Sequence, residues 1–274
     1  MKIHVSLVIF KHNFYVVKNT ILSLVFAVIA VVLAGGFAKR MWPLTRDKPK
    51  HLLSVAGKPM LDYILAKLEP LSKVDQVFIS TNAAFERHFR EYLGTIETKK
   101  NVSLFIEDSR KEEEKLGSVG ALGYLIKKCG VNDELLVFGG DNIFSFNMED
   151  FVNFFGLKKA NIVALFDLKS IDRARFYGVV KIDSECRIVD FQEKPAEPKT
   201  TLVSTACYAF TRDGVRNLHR YLDEGNEPDK MGHFIEWLYK NDKVYGYVFK
   251  GAWFDIGSFE SYHEANKHFS KNDG

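Results

Sequence analysis

The chain has 274 residues, 46% of them hydrophobic, 14% aromatic and 27% charged, which is enough apolar material for one sizeable buried core. A formal net charge of +3 leaves Lys+Arg and Asp+Glu nearly balanced, which argues against nucleic acid as a partner and makes any strongly basic site a local one. Cys129, Cys186 and Cys207 stand far apart with no C-x-x-C pair, so they offer neither a zinc site nor a disulfide framework and suit a reducing, cytoplasmic setting.

Ile21 to Ala34 is an almost unbroken apolar run behind Lys2, Lys11 and Lys18, the outline of a signal or anchor segment. A membrane span wants roughly 20 apolar residues, and this run meets Gly35-Gly36 too early. The preferred reading is a first strand, "AVIAVVLAGG", buried on both faces because it lacks alternation, with membrane association set aside. Residues 1–26 are read as an N-terminal extension of unknown role, and residues 27–274 as a single domain.

From there apolar runs alternate with helical periodicity. "PMLDYILAKLEPL" puts Met60, Leu61, Ile64, Leu65 and Leu68 on one helical face with Pro59 at its start. A strand "QVFIST", a helix "FERHFREYL", a strand "VSLFIED", a helix "SVGALGYLIKKC" and a strand "ELLVFGGD" follow. The second half is richer in strands: "NIVALFDL", "YGVVKI", "RIVDFQEKP" and "LVSTACYAF", then helices "DGVRNLHRYLDE" and "GHFIEWLYK", a strand "KVYGYVF" and a closing helix. The pattern predicts an α/β fold of three layers, helices on both faces of a mixed, mainly parallel sheet shared by the two halves. In such sheets ligands sit beyond the carboxyl ends of the strands.

The first of those ends carries the strongest signal. Gly35-Gly36 can turn sharply and present backbone N–H groups to an anion, and Arg40 and Lys50 add charge-assisted donors. A polyphosphate fits such a loop, although neither a Walker A sequence nor a G-x-G-x-x-G fingerprint is present, and a solvated basic loop is the alternative on composition alone. Asp141 after "LLVFGG" and Asp255 in "WFDIG" both fall at expected loop edges, where an aspartate taken singly is more often a turn or cap residue. Ser118 is a candidate helix cap.

These motifs together resemble the sugar-1-phosphate nucleotidyltransferases, or NDP-sugar pyrophosphorylases, with a Rossmann-like nucleotidyltransferase fold. The family pattern G-G-x-G-T-R-L-x-P-L-T, followed by P-K, is met by Gly35, Gly36, Arg40, Met41, Pro43, Leu44, Thr45, Pro49 and Lys50. It is departed from at Ala38 and Lys39, where glycine and threonine are usual. "LGSVGAL", "GGDN", "EKP" and "WFDIG" continue the family's order across roughly residues 27–270.

The resemblance implies a division of labour. Gly35 and Gly36 approach a nucleoside triphosphate through their backbones, Arg40 holds its outer phosphates, and Lys50 contacts the phosphates where the new bond forms. Gly117 and Gly120 let base and ribose pack on the backbone. Asp141 and Asp255 bind Mg²⁺, which takes one or two carboxylates and fills the rest of its shell with water and phosphate oxygens. Glu193 accepts hydrogen bonds from sugar hydroxyls and Lys194 binds the sugar phosphate, with Tyr177 and Gly178 lining the sugar pocket. Ser204 and Ala206 stand where asparagine and glycine are usual, and Ser204 has the shorter reach.

The implied reaction joins an NTP and a sugar 1-phosphate into an NDP-sugar and pyrophosphate. The alternatives are transfer to a non-sugar phosphate such as phosphocholine, and a regulatory homologue that binds nucleotide sugar without catalysis. The latter is expected to lack Arg40, Lys50, Asp141 or Asp255, and all four are present. The chain is expected to be a stand-alone catalytic domain. The nucleobase, the sugar and assembly into a homo-oligomer are left open.

Overall fold

A computed structural model describes residues 28–270; the extension read at residues 1–26 lies outside the described residues. The first strand, β1 (Val28–Leu33), is central. It sends Val28, Ala30 and Val32 into one core and Val31 into another on the opposite face. That double burial is why its sequence does not alternate.

A tight hairpin of β2 (Ser54–Val55) and β3 (Lys58–Pro59) leads into α1 (Met60–Leu68), with Pro59 just before its first turn. Then come β4 (Val74–Asn82), α2 (Glu86–Leu93), β5 (Asn101–Glu107), α3 (Gly117–Cys129) and β6 (Glu134–Gly139). A short β7 (Asn142–Phe144) and α4 (Met148–Lys158) follow; neither was visible as a periodic segment in the sequence reading. The rest comprises β8 (Asn161–Asp167), the single turn α5 (Ile171–Ala174), β9 (Gly178–Ile182), β10 (Ile188–Glu193), β11 (Leu202–Phe210), α6 (Arg212–Asp223) and α7 (Met231–Asn241). The chain closes with β12 (Val244–Val248), β13 (Trp253–Asp255) and α8 (Phe259–Ser270).

One sheet joins the halves in the order β10-β9-β11-β6-β1-β4-β5, with β8 pairing β11 and β12. The strands β5, β4, β1 and β6 are parallel to one another, while β11 runs antiparallel to β6 and to β8. This is the α/β, Rossmann-like architecture with a mixed, largely parallel sheet that the sequence pattern called for. The helices α1, α2 and α4 cover one face through Leu61, Ile64, Phe89, Phe151 and Phe155. The other face is covered by α3, α6 and α7 through Leu122, Leu125, Leu218, Phe234 and Ile235. α2 is otherwise strongly polar, so Phe89, 0% exposed, is its main anchor, contributing about 2 to 3 kcal/mol by burial alone.

No helix among the described residues is long and apolar enough to cross a membrane. Of the apolar run Ile21 to Ala34, residues 28–33 are a buried strand and residues 21–27 lie outside the described residues.

Candidate active site

Because β1, β4, β5 and β6 are parallel, their carboxyl ends open on one side of the sheet. A cleft of about 400 Å³ lies there, and β11 completes its floor. β11 is antiparallel to β6 with Cys207 opposite Phe138, which sets Ala206 against Gly139. Its register with β8 is interrupted between Ser204 and Tyr208, so these residues at the cleft floor fall on an irregular stretch of strand.

The glycine turn is pinned from β4. The Thr81 hydroxyl donates to the Ala34 carbonyl at 3.0 Å and the Asn82 amide to the Gly35 carbonyl at 2.8 Å. Gly35 and Gly36 therefore enter the cleft as a fixed turn, and the space beside Gly36 is open. Ala38 adopts φ 49°, ψ 42°, a left-handed conformation that explains why glycine is usual there. Its carbonyl accepts from the Thr45 hydroxyl at 2.8 Å and the Met41 N–H at 2.9 Å, and Met41 is buried in a small core shared with Ile143 and Ile256. Lys39 reaches away to Glu113 at 3.4 Å, an exposed pair of small energetic weight.

Lys50 and Asp141 meet at 2.6 Å although 91 residues separate them. Burial works against the Asp141 charge, but the Lys50 ammonium and hydrogen bonds from Lys50 and Asn142 outweigh it and hold the carboxyl below the usual range. The short pair of β7 and β13 sets Asp255 opposite Asn142, and the Ile256 N–H donates to the Asp141 carbonyl at 2.9 Å. Asp255 thus faces the same cleft as Asp141. Its carboxyl is pushed up to about 6, first by burial and then by the Asp141 charge, against the pull of Lys50, Lys194 and Arg40. His51 is buried beside them and held near 4 by that burial and by Lys50, hence neutral.

Two carboxylates on one cleft, the Asp141 charge raising the cost of ionising Asp255, with cations around them, form a donor set that suits a hard divalent ion. Among the described residues no group of three or more His, Cys, Asp or Glu is placed to hold a metal ion. A cation here would take both aspartates and draw its other oxygens from substrate and water.

The other side of the cleft is built by β9, β10, β11 and α7. Tyr177, Gly178, Glu193, Lys194 and Ser204 all line the cleft. Lys194 is left-handed at φ 48° and its N–H donates to the Tyr177 carbonyl at 3.0 Å, which binds the ends of β9 and β10 together. Gly178 also makes room for the Phe191 ring, 2.5 Å from where a Cβ would stand. Burial raises the Glu193 carboxyl, opposed by Lys194 and His233. The Ser204 hydroxyl is buried without a well-formed hydrogen bond. Trp253 also lines the cleft, its ring packed on Tyr177 at 5.0 Å between centroids, and Phe176, a further lining residue, is exposed.

One expectation needs correction. Ser118 does not cap α3 with its side chain; its hydroxyl donates to the Asp229 carbonyl at 2.7 Å and accepts from the Met231 N–H at 3.1 Å. The N–H groups of Ser118, Val119 and Gly120 donate to the carbonyls of Asp229 and Pro228, so the helix start binds a neighbouring segment of chain. Gly117 lines the cleft at φ +76°, but a Cβ there would lie 2.4 Å from the Asp229 Cα, and Gly120 lies outside the lining. Their first duty is to admit the 228–229 segment. Arg40 also lies outside the lining, exposed at the rim, with its guanidinium close to Gly257 and its charge felt by Asp255.

Sequence reasoning missed Glu107, Asn142 and Trp253. Glu107 ends β5 inside the cleft, 3% exposed, with the Ser109 hydroxyl donating to Oε1 at 2.6 Å and Oε2 unpartnered. Its place at a parallel strand end was the signal available. Asn142 and Trp253 stood within quoted motifs, but nothing in their spacing shows that they touch.

The family described as nucleotidyl transferase matches residues 29–272. The bifunctional protein GlmU of Methanocaldococcus jannaschii is 30% identical over 241 residues, covering 87% of this chain and 53% of that protein. A mannose-1-phosphate guanylyltransferase of Mycobacterium tuberculosis is 30% identical over 237 residues, covering 85% of this chain and 62% of that protein. This chain thus spans between about half and two thirds of these curated relatives. A solved Bacillus anthracis structure, provisionally named a glucose-1-phosphate thymidylyltransferase, superposes with TM-score 0.73 at 26% identity over 89% of this chain and 96% of that one. With a family match across nearly all the described residues and the strand-end cleft that its motifs build, the chain belongs to the nucleotidyl transferase family, the sugar-1-phosphate nucleotidyltransferases.

Proposed function

We propose that the cleft joins a nucleoside triphosphate to a sugar 1-phosphate, forming an NDP-sugar and releasing pyrophosphate. The observation that carries this reading is the convergence of Lys50, Asp141, Asp255 and Lys194 from four distant parts of the chain on one cleft at the strand ends. Differently named relatives, one a guanylyltransferase and one a thymidylyltransferase, leave base and sugar to experiment.

In this reading a phosphate oxygen of the sugar 1-phosphate attacks the α-phosphorus, and the bond from the α-phosphorus to the α,β-bridging oxygen breaks, that oxygen leaving with pyrophosphate. The nucleophile is already an anion, so no general base is needed; alignment and charge neutralisation are what the protein supplies. Lys50 gives one of its three donors to Asp141 and keeps two for phosphate oxygens. Lys194 holds the sugar phosphate, Glu193 accepts from sugar hydroxyls, and Tyr177 and Trp253 form an aromatic wall for the sugar ring. Arg40 at the rim meets the departing pyrophosphate. The fixed turn at Gly35 and Gly36 receives the triphosphate through backbone N–H groups. Asp141 and Asp255 would hold Mg²⁺, which when bound neutralises phosphate oxygens in a phosphoryl transfer.

The test is pyrophosphate release for each common NTP and dTTP paired with a panel of sugar 1-phosphates and with phosphocholine, with and without Mg²⁺. Release with at least one sugar 1-phosphate, abolished by chelation, is expected. Release with phosphocholine alone overturns the acceptor assignment, and silence from folded protein overturns catalysis.

A further inference from the structure

Asp141 has an aspartate's soft terminal torsion, so its carboxylate plane is not set by the backbone. Two donors set it instead. Lys50 Nζ donates to Oδ2 at 2.6 Å, and Asn142 Nδ2 donates to Oδ1 at 2.8 Å. The Asn142 amide is itself held, because the Trp253 indole N–H donates to Asn142 Oδ1 at 2.7 Å. The direction of this chain of bonds is fixed by chemistry: an indole N–H can only donate and a carboxylate can only accept, so the amide between them has one orientation. Asn142 is 3% exposed, and the Trp253 ring is wedged against Tyr177 at 5.0 Å and Phe166 at 5.9 Å. Each Asp141 oxygen is thereby left with a free lone pair in a defined direction.

We propose that Asn142 and Trp253 are positioning residues: Trp253 orients the Asn142 amide, and that amide fixes the Asp141 carboxylate in the pose that receives a divalent cation. The inference rests on the reading of Asp141 as a cation ligand. It also links the aromatic acceptor wall to the cation site through two hydrogen bonds, so a group bound against Trp253 and a cation on Asp141 influence each other's affinity reciprocally.

The experiment uses the full chain and metal alone. Free Mn²⁺ is followed by electron paramagnetic resonance for the wild type, Asp141→Asn, Asn142→Leu and Trp253→Phe. In parallel, the indole ¹⁵N–H signals of the three tryptophans are followed during Mg²⁺ titration, the Trp253 signal being the one lost in Trp253→Phe. Trp253→Phe keeps the ring and removes only the donor, so it carries the test even where Asn142→Leu folds poorly. The expected result is a loss of Mn²⁺ affinity of about 10- to 100-fold in both relay variants, the range usual for groups that orient metal ligands. The Trp253 signal is expected to shift saturably with Mg²⁺ in the wild type and to stay still in Asp141→Asn. Wild-type Mn²⁺ affinity in Trp253→Phe, or a Trp253 signal indifferent to Mg²⁺ while Mn²⁺ binds, overturns the relay and leaves the cation reading standing. No Mn²⁺ binding by the wild type removes the cation reading and the relay with it.

Discussion

Asp141 and Asp255 carry opposite shifts because their surroundings differ: Lys50 sits on one, while the other bears burial and its neighbour's charge. Asp141→Asn removes half of the carboxylate pair, and pyrophosphate release is expected to fall on the order of 10²-fold or more, as a loss of a few kcal/mol in charge stabilisation implies. A carboxyl raised above its unfolded value contributes stability that is fully present below the unfolded pKa and is lost as pH rises through the folded one. For Asp255, raised to about 6, Asp255→Asn in metal-free buffer is therefore expected to raise Tm by roughly a few degrees at pH 7.5 and to change it little near pH 3.5. Divalent-cation affinity of the wild type is expected to fall as pH drops through about 6, which a Mn²⁺ titration across pH 5 to 8 measures. Ala38 offers a separate check. At φ 49° an alanine is strained, so Ala38→Gly is expected to gain about 0.5 to 1 kcal/mol after glycine's larger unfolded-state entropy is subtracted, read from the denaturant midpoint.

At the scale of elements, two cleft glycines from different motifs have separable duties. Gly36 faces open space, so Gly36→Ala is expected to leave stability unchanged or slightly higher while raising the KM for nucleotide, the methyl group standing where phosphate approaches. Gly117→Ala meets backbone at 2.4 Å and a left-handed φ of +76°, and is expected to cost more than about 2 kcal/mol by urea unfolding. The start of α3 was legible as a helix start, but its donors are taken by Pro228 and Asp229, more than a hundred residues on. Helical periodicity located α1, α3, α6 and α7 because each buries one regular stripe. α4 carries the same stripe in Met148, Phe151, Val152 and Phe155, but the off-stripe Phe154 and the exposed Leu157 blur its polar face.

Over the whole molecule, β11 hydrogen-bonds to both β6 and β8, so the strands before and after it share one sheet. We expect residues 27–274 to act as one catalytic unit, and heating the full chain to give a single transition, coincident by near- and far-ultraviolet circular dichroism. Two separated transitions would divide the unit. The class of fold was legible along the chain, since unalternating apolar runs between amphipathic helices have few stable arrangements other than a sheet covered on both faces. The sequence also pointed to Gly35, Gly36, Lys50, Asp141, Glu193, Lys194 and Asp255 at the cleft, because their motifs are local and ordered, but not to Glu107, Lys115 or Asp229. Which of them touch is settled by how the strands pack together. Lys50 reaches Asp141, Trp253 reaches Asn142, Glu107 enters at a strand end, and Arg40 stays at the rim. These contacts depend on strand order and register, which are set by long-range packing and leave no mark in the spacing of residues along the chain.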